Sequence, residues 1–322
     1  MEPIDAVITW VDGDDPLFAR KRESYMNGSS LLERDDIAGI TRYRSSGEID
    51  WCVCSIMKFA PWIRKIYIVT DGQNPHVERS IRKVCPDSEI PVEVVDHKVI
   101  FKGYEQVLPV FNSLSIETVL WRIPGLSDRF IYFNDDMMLW NPVQPSDFFQ
   151  GDKLVAYGYM HKMFTARFCR FIGGLSRNPR VTFRDTMLNA ALLWGENTWG
   201  NFLRLGHAPY SMDKRFLEKF FGRNREAFFN NIRLRFRGRD QFNTVELGVL
   251  DAMSEGNLIV RDSRKYLLYI EPRTEDNERF VKVLAAWSRN PKALFCCVNS
   301  LDRGNSEQKR ILTEIISERL LN

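Results

Sequence analysis

The sequence predicts an α/β fold: a mainly parallel sheet flanked by helices, with a helical elaboration in the second half. Two observations carry the prediction. Short apolar runs alternate with longer amphipathic stretches over the first 150 residues, the order that builds strand-helix-strand units. Each apolar run also ends in polar residues, which a parallel sheet gathers on one edge, beyond the carboxyl ends of its strands.

Ile4 to Val11 reads as the first buried strand, followed by Ile66 to Thr70, Pro91 to Val95 and Phe130 to Phe133. Helices are expected over Ile49 to Phe59, His76 to Val84 and Ser113 to Ile123. The last of these sets Leu114, Val119 and Leu120 on overlapping faces, with Ser113 as N-cap. From Leu154 onward the texture changes. Arg184 to Leu205, Asp213 to Asn231 and Gln241 to Glu255 read as helices. Leu258 to Val260 and Tyr266 to Ile270 read as short strands, joined in a hairpin around Asp262-Ser263-Arg264-Lys265. Lys292 to Val298 is one more strand, and Ser306 to Leu321 an amphipathic helix. The expected division is an α/β core at 1–153, a mainly helical insertion at 154–260, and strands plus a helix at 261–322 that complete the core.

Hydrophobic content of 44% with 27% charged residues is ordinary for a globular protein. A net charge of +3 names no partner and argues against nucleic acid. Residues 214–239 nonetheless hold nine Lys or Arg, two Glu and six Phe. One account is a solvated helix face over a Phe-rich core. The other is a groove for an anion: Arg233, Arg235, Arg237 and Arg239 alternate as one face of an extended segment would, and guanidinium groups suit phosphate. Cys52, Cys54, Cys85, Cys169, Cys296 and Cys297 show neither a Cys-x-x-Cys pair nor zinc spacing, so they read as reduced core residues. No apolar run approaches the ~18 residues of a membrane span. The start, Met1-Glu2-Pro3-Ile4-Asp5, lacks the regions of a secretory signal, and cytosol is the expected compartment.

Chemistry concentrates at the strand exits. Asn134-Asp135-Asp136 follows the apolar run that ends at Phe133. Adjacent carboxylates there are costly unless matched by a cation or by strong donors. Hard oxygen ligands suit Mg²⁺ or Mn²⁺, ions that usually accompany a phosphate-bearing substrate. The other exits are Thr9-Trp10-Val11-Asp12-Gly13-Asp14-Asp15, Thr70-Asp71-Gly72-Gln73 and Asp96-His97. Trp10 offers a stacking surface or core packing, Gly13 close backbone approach, and Asp12 a hydrogen-bond acceptor.

These clusters, in this order, resemble the Stealth family of hexose-1-phosphate transferases. The first region of resemblance runs from Ile4 through Trp10-Val11-Asp12-Gly13 to Asp15. A second takes in Arg42-Tyr43-Arg44 to Glu48, Ser55-Ile56, and Ala60-Pro61-Trp62 on to Thr70-Asp71-Gly72-Gln73-Asn74-Pro75. A third holds Leu108-Pro109-Val110-Phe111-Asn112-Ser113, Ile116-Glu117, Ile123 to Ser127, and Asn134-Asp135-Asp136. A fourth resembles Gly206-His207-Ala208-Pro209-Tyr210 with Arg235-Phe236-Arg237 after it.

The resemblance implies a glycosyltransferase-A-like version of the fold, with 1–153 binding a nucleotide sugar and 154–260 on the acceptor side. It implies transfer of hexose-1-phosphate or N-acetylhexosamine-1-phosphate from a UDP-sugar to a glycan hydroxyl, with release of UMP. Asp135 and Asp136 are expected to hold Mg²⁺ or Mn²⁺. Trp10, Asp12, Gly13, Thr70, Asp71, Gly72 and Gln73 would border the nucleotide. Arg42, Arg44 and Arg237 would clamp phosphate oxygens, and Asn112 and Glu117 would contact sugar or metal shell. His207 is the first candidate for general base; Asp12, Asp135 and His97 are alternatives, and His97 also serves as a substrate contact. The acceptor would be a capsular glycan, such as a phosphodiester-linked polymer, with peripheral association to a capsule assembly complex at the inner face of the plasma membrane. The rival readings are a metal-dependent glycosyltransferase releasing UDP and a non-catalytic nucleotide-sugar-binding subunit.

Overall fold

A computed structural model describes residues 2–26, 47–175, 181–195, 201–272 and 277–321. Arg42 and Arg44 lie outside the described residues. The described strands are β1 (Ile4–Thr9), β2 (Ile66–Thr70), β3 (Val92–Asp96), β4 (Arg129–Asn134), β5 (Met137–Leu139), β6 (Phe149–Gln150), β7 (Lys153–Lys162), β8 (Asn201–Leu205), β9 (Tyr210–Asp213), β10 (Leu258–Asp262), β11 (Leu267–Ile270) and β12 (Phe295–Val298).

The first sheet has the order β3-β2-β1-β4-β9. Its first four strands run parallel, and β9 lies antiparallel on the edge beside β4. The expected α/β class with a mainly parallel sheet is what the chain adopts. β1 sits at the centre, with Ile8 beside both Ile68 and Phe133. Covered on both faces, such a strand must be apolar throughout, and Ala6, Val7 and Ile8 are fully buried. Asp5 is the exception inside it. Its buried carboxylate accepts from Arg64 Nε at 2.8 Å and from the Ser127 amide at 2.7 Å, so the charge is matched.

A second sheet, β10-β7-β6 with β8 also on β7, and a third, β11-β12-β5, complete the architecture. β5 follows β4 after a two-residue turn, and this ties the third sheet to the first. The helix Glu48–Phe59 packs behind β5 with Ile49, Cys52, Val53 and Ile56 buried. Cys54, Cys296 and Cys297 join the same core.

Several expectations need correction. The helix expected over Arg184 to Leu205 is a helix at Phe183–Trp194 followed by strand β8. Its start is set by a Thr182/Asp185 capping box, its end by Gly195 in the left-handed region. The hairpin around Asp262 to Lys265 does not form: β10 pairs parallel to β7 and β11 parallel to β12, in different sheets. Asp262 caps a helical turn instead, accepting from the Arg264 amide. Ser113 is not the N-cap of its helix. Asn112 is, and that helix ends at Glu117. Helix 213–231 breaks at Asn224 into Lys214–Arg223 and Arg225–Ile232. The ten-residue β7 and the helices Pro16–Met26, Met163–Gly174 and Asn277–Ser288 had no counterpart in the sequence reading.

Candidate functional site

The exits of β1, β4 and β12 converge on a cavity of about 470 Å³. Its wall includes Trp10, Glu48, His97, Asn112, Glu117, Asp135, Asp136, His207 and Arg237. Residues expected to act together, spread from position 10 to 237, are therefore brought to one place. Asp12, Gly13, Thr70, Asp71, Gly72 and Gln73 are not on that wall. Of these, Asp12 and Gln73 link the exits of β1 and β2. The Asp12 amide donates to Gln73 Oε1 at 3.0 Å, Gln73 Nε2 donates to the Asp12 carbonyl at 2.8 Å, and Asp12 Oδ1 accepts from the Asp14 amide at 3.0 Å. Lys21 Nζ donates to Asp71 Oδ2 at 2.6 Å.

Asp136 is fixed by the third sheet. Its carbonyl accepts from the Val298 amide at 2.9 Å, and Oδ2 accepts from Asn299 Nδ2 at 3.2 Å and from Cys297 Sγ at 3.5 Å. Oδ1 is buried without a hydrogen-bond partner. Burial raises the Asp136 carboxyl above its ordinary range, opposed by His207 and these donors. Asp135 is pushed well up by burial first, then by repulsion from Asp136 and Glu48. Among the described residues, the side-chain donors to this pair are the neutral groups of Cys297 and Asn299, both on Asp136.

His207 packs against the rings of Phe183 and Tyr269, at 5.3 and 5.6 Å between centroids. Gly206 makes this placement possible: a Cβ there would stand 2.8 Å from Ser263 Cβ, too close for any side chain. Burial lowers the His207 pKa, opposed by Asp136 and reinforced by Arg237 and Arg204. Its Nδ1 is buried without a partner. His97 is more deeply buried, which brings its pKa down to about 4. Burial raises Glu117, opposed by Arg237. Its Oε1 meets the Tyr132 hydroxyl at 3.2 Å, and that hydroxyl also contacts Asn134 Oδ1 at 2.6 Å and Thr9 Oγ1 at 3.0 Å.

The Arg-rich segment does not form an extended face. Arg233 bonds Asn230, Arg235 reaches the carbonyls of Gln106 and Leu108, and Arg237 donates to Ser113 Oγ at 2.9 Å. A buried amide network sets this loop in place. Asn112 Nδ2 donates to Gln241 Oε1 at 2.6 Å, Gln241 Nε2 donates to Ser115 Oγ and the Asn231 carbonyl, and Asn231 Nδ2 donates to Thr118 Oγ1. Asn112 thus holds the loop that presents Arg237, besides capping its own helix.

The sequence reading missed the β12 exit, where Asn299, Ser300, Asp302 and Arg303 line the cavity. The same signal used for the other exits was present: the apolar run Leu294 to Val298 ends in Asn299-Ser300. Phe183 and Tyr269 carried no signal of their own, because aromatic residues in a helix or strand look like core.

Comparison with known proteins bears on this site. Residues 2–30 match Stealth protein CR1, conserved region 1, and residues 42–157 match Stealth protein CR2, conserved region 2. The second and third regions of resemblance both fall within the latter. Exopolysaccharide phosphotransferase cps2G of Lactiplantibacillus plantarum is 34% identical over 270 residues, covering 76% of this chain and 73% of that relative. Exopolysaccharide phosphotransferase SCO6023 of Streptomyces coelicolor is 31% identical over 327 residues, covering 98% of this chain and 50% of that relative. Capsular polysaccharide phosphotransferase WcwK of Streptococcus pneumoniae is 39% identical over 158 residues, 49% of this chain and 44% of that relative. The chain belongs to the Stealth family. It spans about half the length of the SCO6023 and WcwK proteins. Among solved structures, the galactosyltransferase LgtC aligns over 98% of this chain and 95% of its own, at 11% identity and a TM-score of 0.45.

Proposed function

We propose that this chain transfers a hexose-1-phosphate or N-acetylhexosamine-1-phosphate from a UDP-sugar to a glycan hydroxyl, forming a phosphodiester and releasing UMP. The observation that carries the reading is the cavity itself, in which an under-compensated carboxylate pair faces an imidazole and a guanidinium. The names of the relatives, capsular and exopolysaccharide phosphotransferases, point the same way.

The donor set fits a divalent cation. Asp135 and Asp136 repel one another in a buried setting, and Asp136 Oδ1 has no partner. Among the described residues no group of three His, Cys, Asp or Glu has ligand geometry, but Mg²⁺ is commonly held by one or two carboxylates together with substrate phosphates. Bound by Asp135 and Asp136, Mg²⁺ or Mn²⁺ would neutralise charge on the diphosphate. Glu48 adds negative potential beside them.

The remaining roles belong to side chains of the chain. The acceptor oxygen attacks the β-phosphorus, an O–P bond forms, and the bond from that phosphorus to the oxygen shared with the α-phosphate breaks, so UMP departs. His207 takes the hydroxyl proton; its lowered pKa keeps it neutral near pH 7, the state a base requires. Arg237, anchored on Ser113, faces the equatorial oxygens as charge builds. Trp10 and the Asp12–Gln73 linkage border the nucleoside end.

The test is to supply a UDP-sugar, a capsular-type oligosaccharide and Mg²⁺ and to identify the nucleotide product. UMP with a new phosphodiester is expected; UDP would assign the chain to the glycosyltransferases instead. Chelation with EDTA should stop turnover, and added Mg²⁺ or Mn²⁺ should restore it.

A further inference from the structure

Apart from the cavity, the most unusual surface is the helix Met163–Gly174. Phe164, Phe168, Phe171, Ile172 and the following Leu175 are 50–70% exposed. Positions 164, 168, 171 and 175 repeat at helical spacing and form one outward stripe, while Met163 and Ala166 on the opposite face are fully buried. The stripe borders an open groove of about 820 Å³, closed on its far side by Leu188 and Leu192 of the helix Phe183–Trp194. A contiguous exposed apolar surface of this kind marks an interaction site.

Its charge surroundings identify the occupant. Arg167 and Arg170 line the groove beside the stripe, and residues 160–184 contain no Asp or Glu. Arg239 reaches the groove from the basic loop. A second copy of this chain would set like charges against one another. An anionic bilayer supplies both complements: acyl chains for the Phe side chains and headgroups for the Arg side chains.

We infer that this helix face docks the protein on an anionic lipid surface. The aromatic stripe lies in the interface while Arg167 contacts headgroups. The neighbouring helix carries Phe183, whose ring packs on His207, so docking sets the catalytic cavity close to the membrane plane. The inference rests on the proposed transfer reaction for its purpose, which is to meet a glycan acceptor carried at a membrane, but lipid binding is measured without turnover.

The experiment is flotation of the protein with vesicles of phosphatidylcholine mixed with phosphatidylglycerol, against phosphatidylcholine alone. Binding to the anionic vesicles is expected, weakened by salt. The double variant Phe168→Ser/Phe171→Ser should lose at least about tenfold in binding, and Arg167→Glu should weaken it separately. These side chains are exposed, and circular dichroism checks that the fold is kept. UMP release on a soluble oligosaccharide should be unchanged in the double variant. No binding to anionic vesicles would overturn the inference, as would binding that the double variant retains. A dimer in light scattering that the same variant disperses would reassign the face to a second copy. Vesicle binding by a wild-type protein that releases no UMP would leave docking standing and remove the transferase reading.

Discussion

Two strand exits on the same edge look alike in sequence and behave differently in space. The β1 and β2 exits carry Asp12, Asp71 and Gln73; the β4 exit carries Asn134, Asp135 and Asp136. At the first, the polar groups are matched: Asp12 and Gln73 exchange backbone and side-chain hydrogen bonds, and Asp71 pairs with Lys21. At the second, burial and then Asp136 raise the cost of ionising Asp135, and Asp136 Oδ1 is left without a partner. Satisfied polar groups stabilise a fold; a buried unsatisfied one that lines a cavity is a candidate ligand contact. On the proposed function the reaction falls at the β4 exit, while Asp12 and Gln73 tie the β1 and β2 exits together beside it.

The largest effect should come from the β4 exit. Asp135→Ala or Asp136→Ala should lower kcat by about a thousandfold or more, with an unchanged circular dichroism spectrum; retained activity in both would break the distinction. His207→Ala should follow, at about a hundredfold or more, with the loss in kcat rather than in KM.

Next come changes that test stability at the same edge. Asp5→Ala strands Arg64 and the Ser127 amide and should cost about 3 kcal/mol in a denaturant titration. His97 is buried neutral, with a pKa of about 4 against an ordinary 6.5. The unfolded chain binds this proton first as pH falls. The stabilisation from His97 is therefore whole above pH 6.5 and declines toward pH 4, by about 3 kcal/mol in total. Wild type and His97→Gln, compared across that window, should converge as pH falls. The smallest effect is expected at the β1 and β2 exits. Lys21→Ala removes a partly exposed ion pair worth less than about 1 kcal/mol, and should leave kcat within about tenfold of wild type.

Much of the α/β core was legible. β2 and the helix Ser306–Leu321 fall where periodicity put them, and β1, β3 and β4 differ by a residue or two at their ends. Short apolar runs between helical patterns leave few alternatives, and the clusters at their ends pointed to the edge on which the cavity lies. Less of the second half was legible. The Leu154 to Tyr157 run opens β7, yet its polar continuation to Lys162 masks a long strand. The β10–β11 segment reads as a hairpin because spacing alone does not say that its two strands join different sheets.

By itself the sequence determined the fold class, the sheet edge on which polar residues gather, and the adjacent carboxylates at the β4 exit, because strand alternation and buried charge are properties of local residue order. The tertiary structure decided which of the similar exits is unsatisfied, that Asn299 just after β12 holds Asp136, that Asn112 and Gln241 position Arg237, and that His207 packs against Phe183 and Tyr269. Each of these depends on contacts between segments distant in the chain. Hydrogen-bond satisfaction and burial are set by such contacts, and no local pattern encodes them.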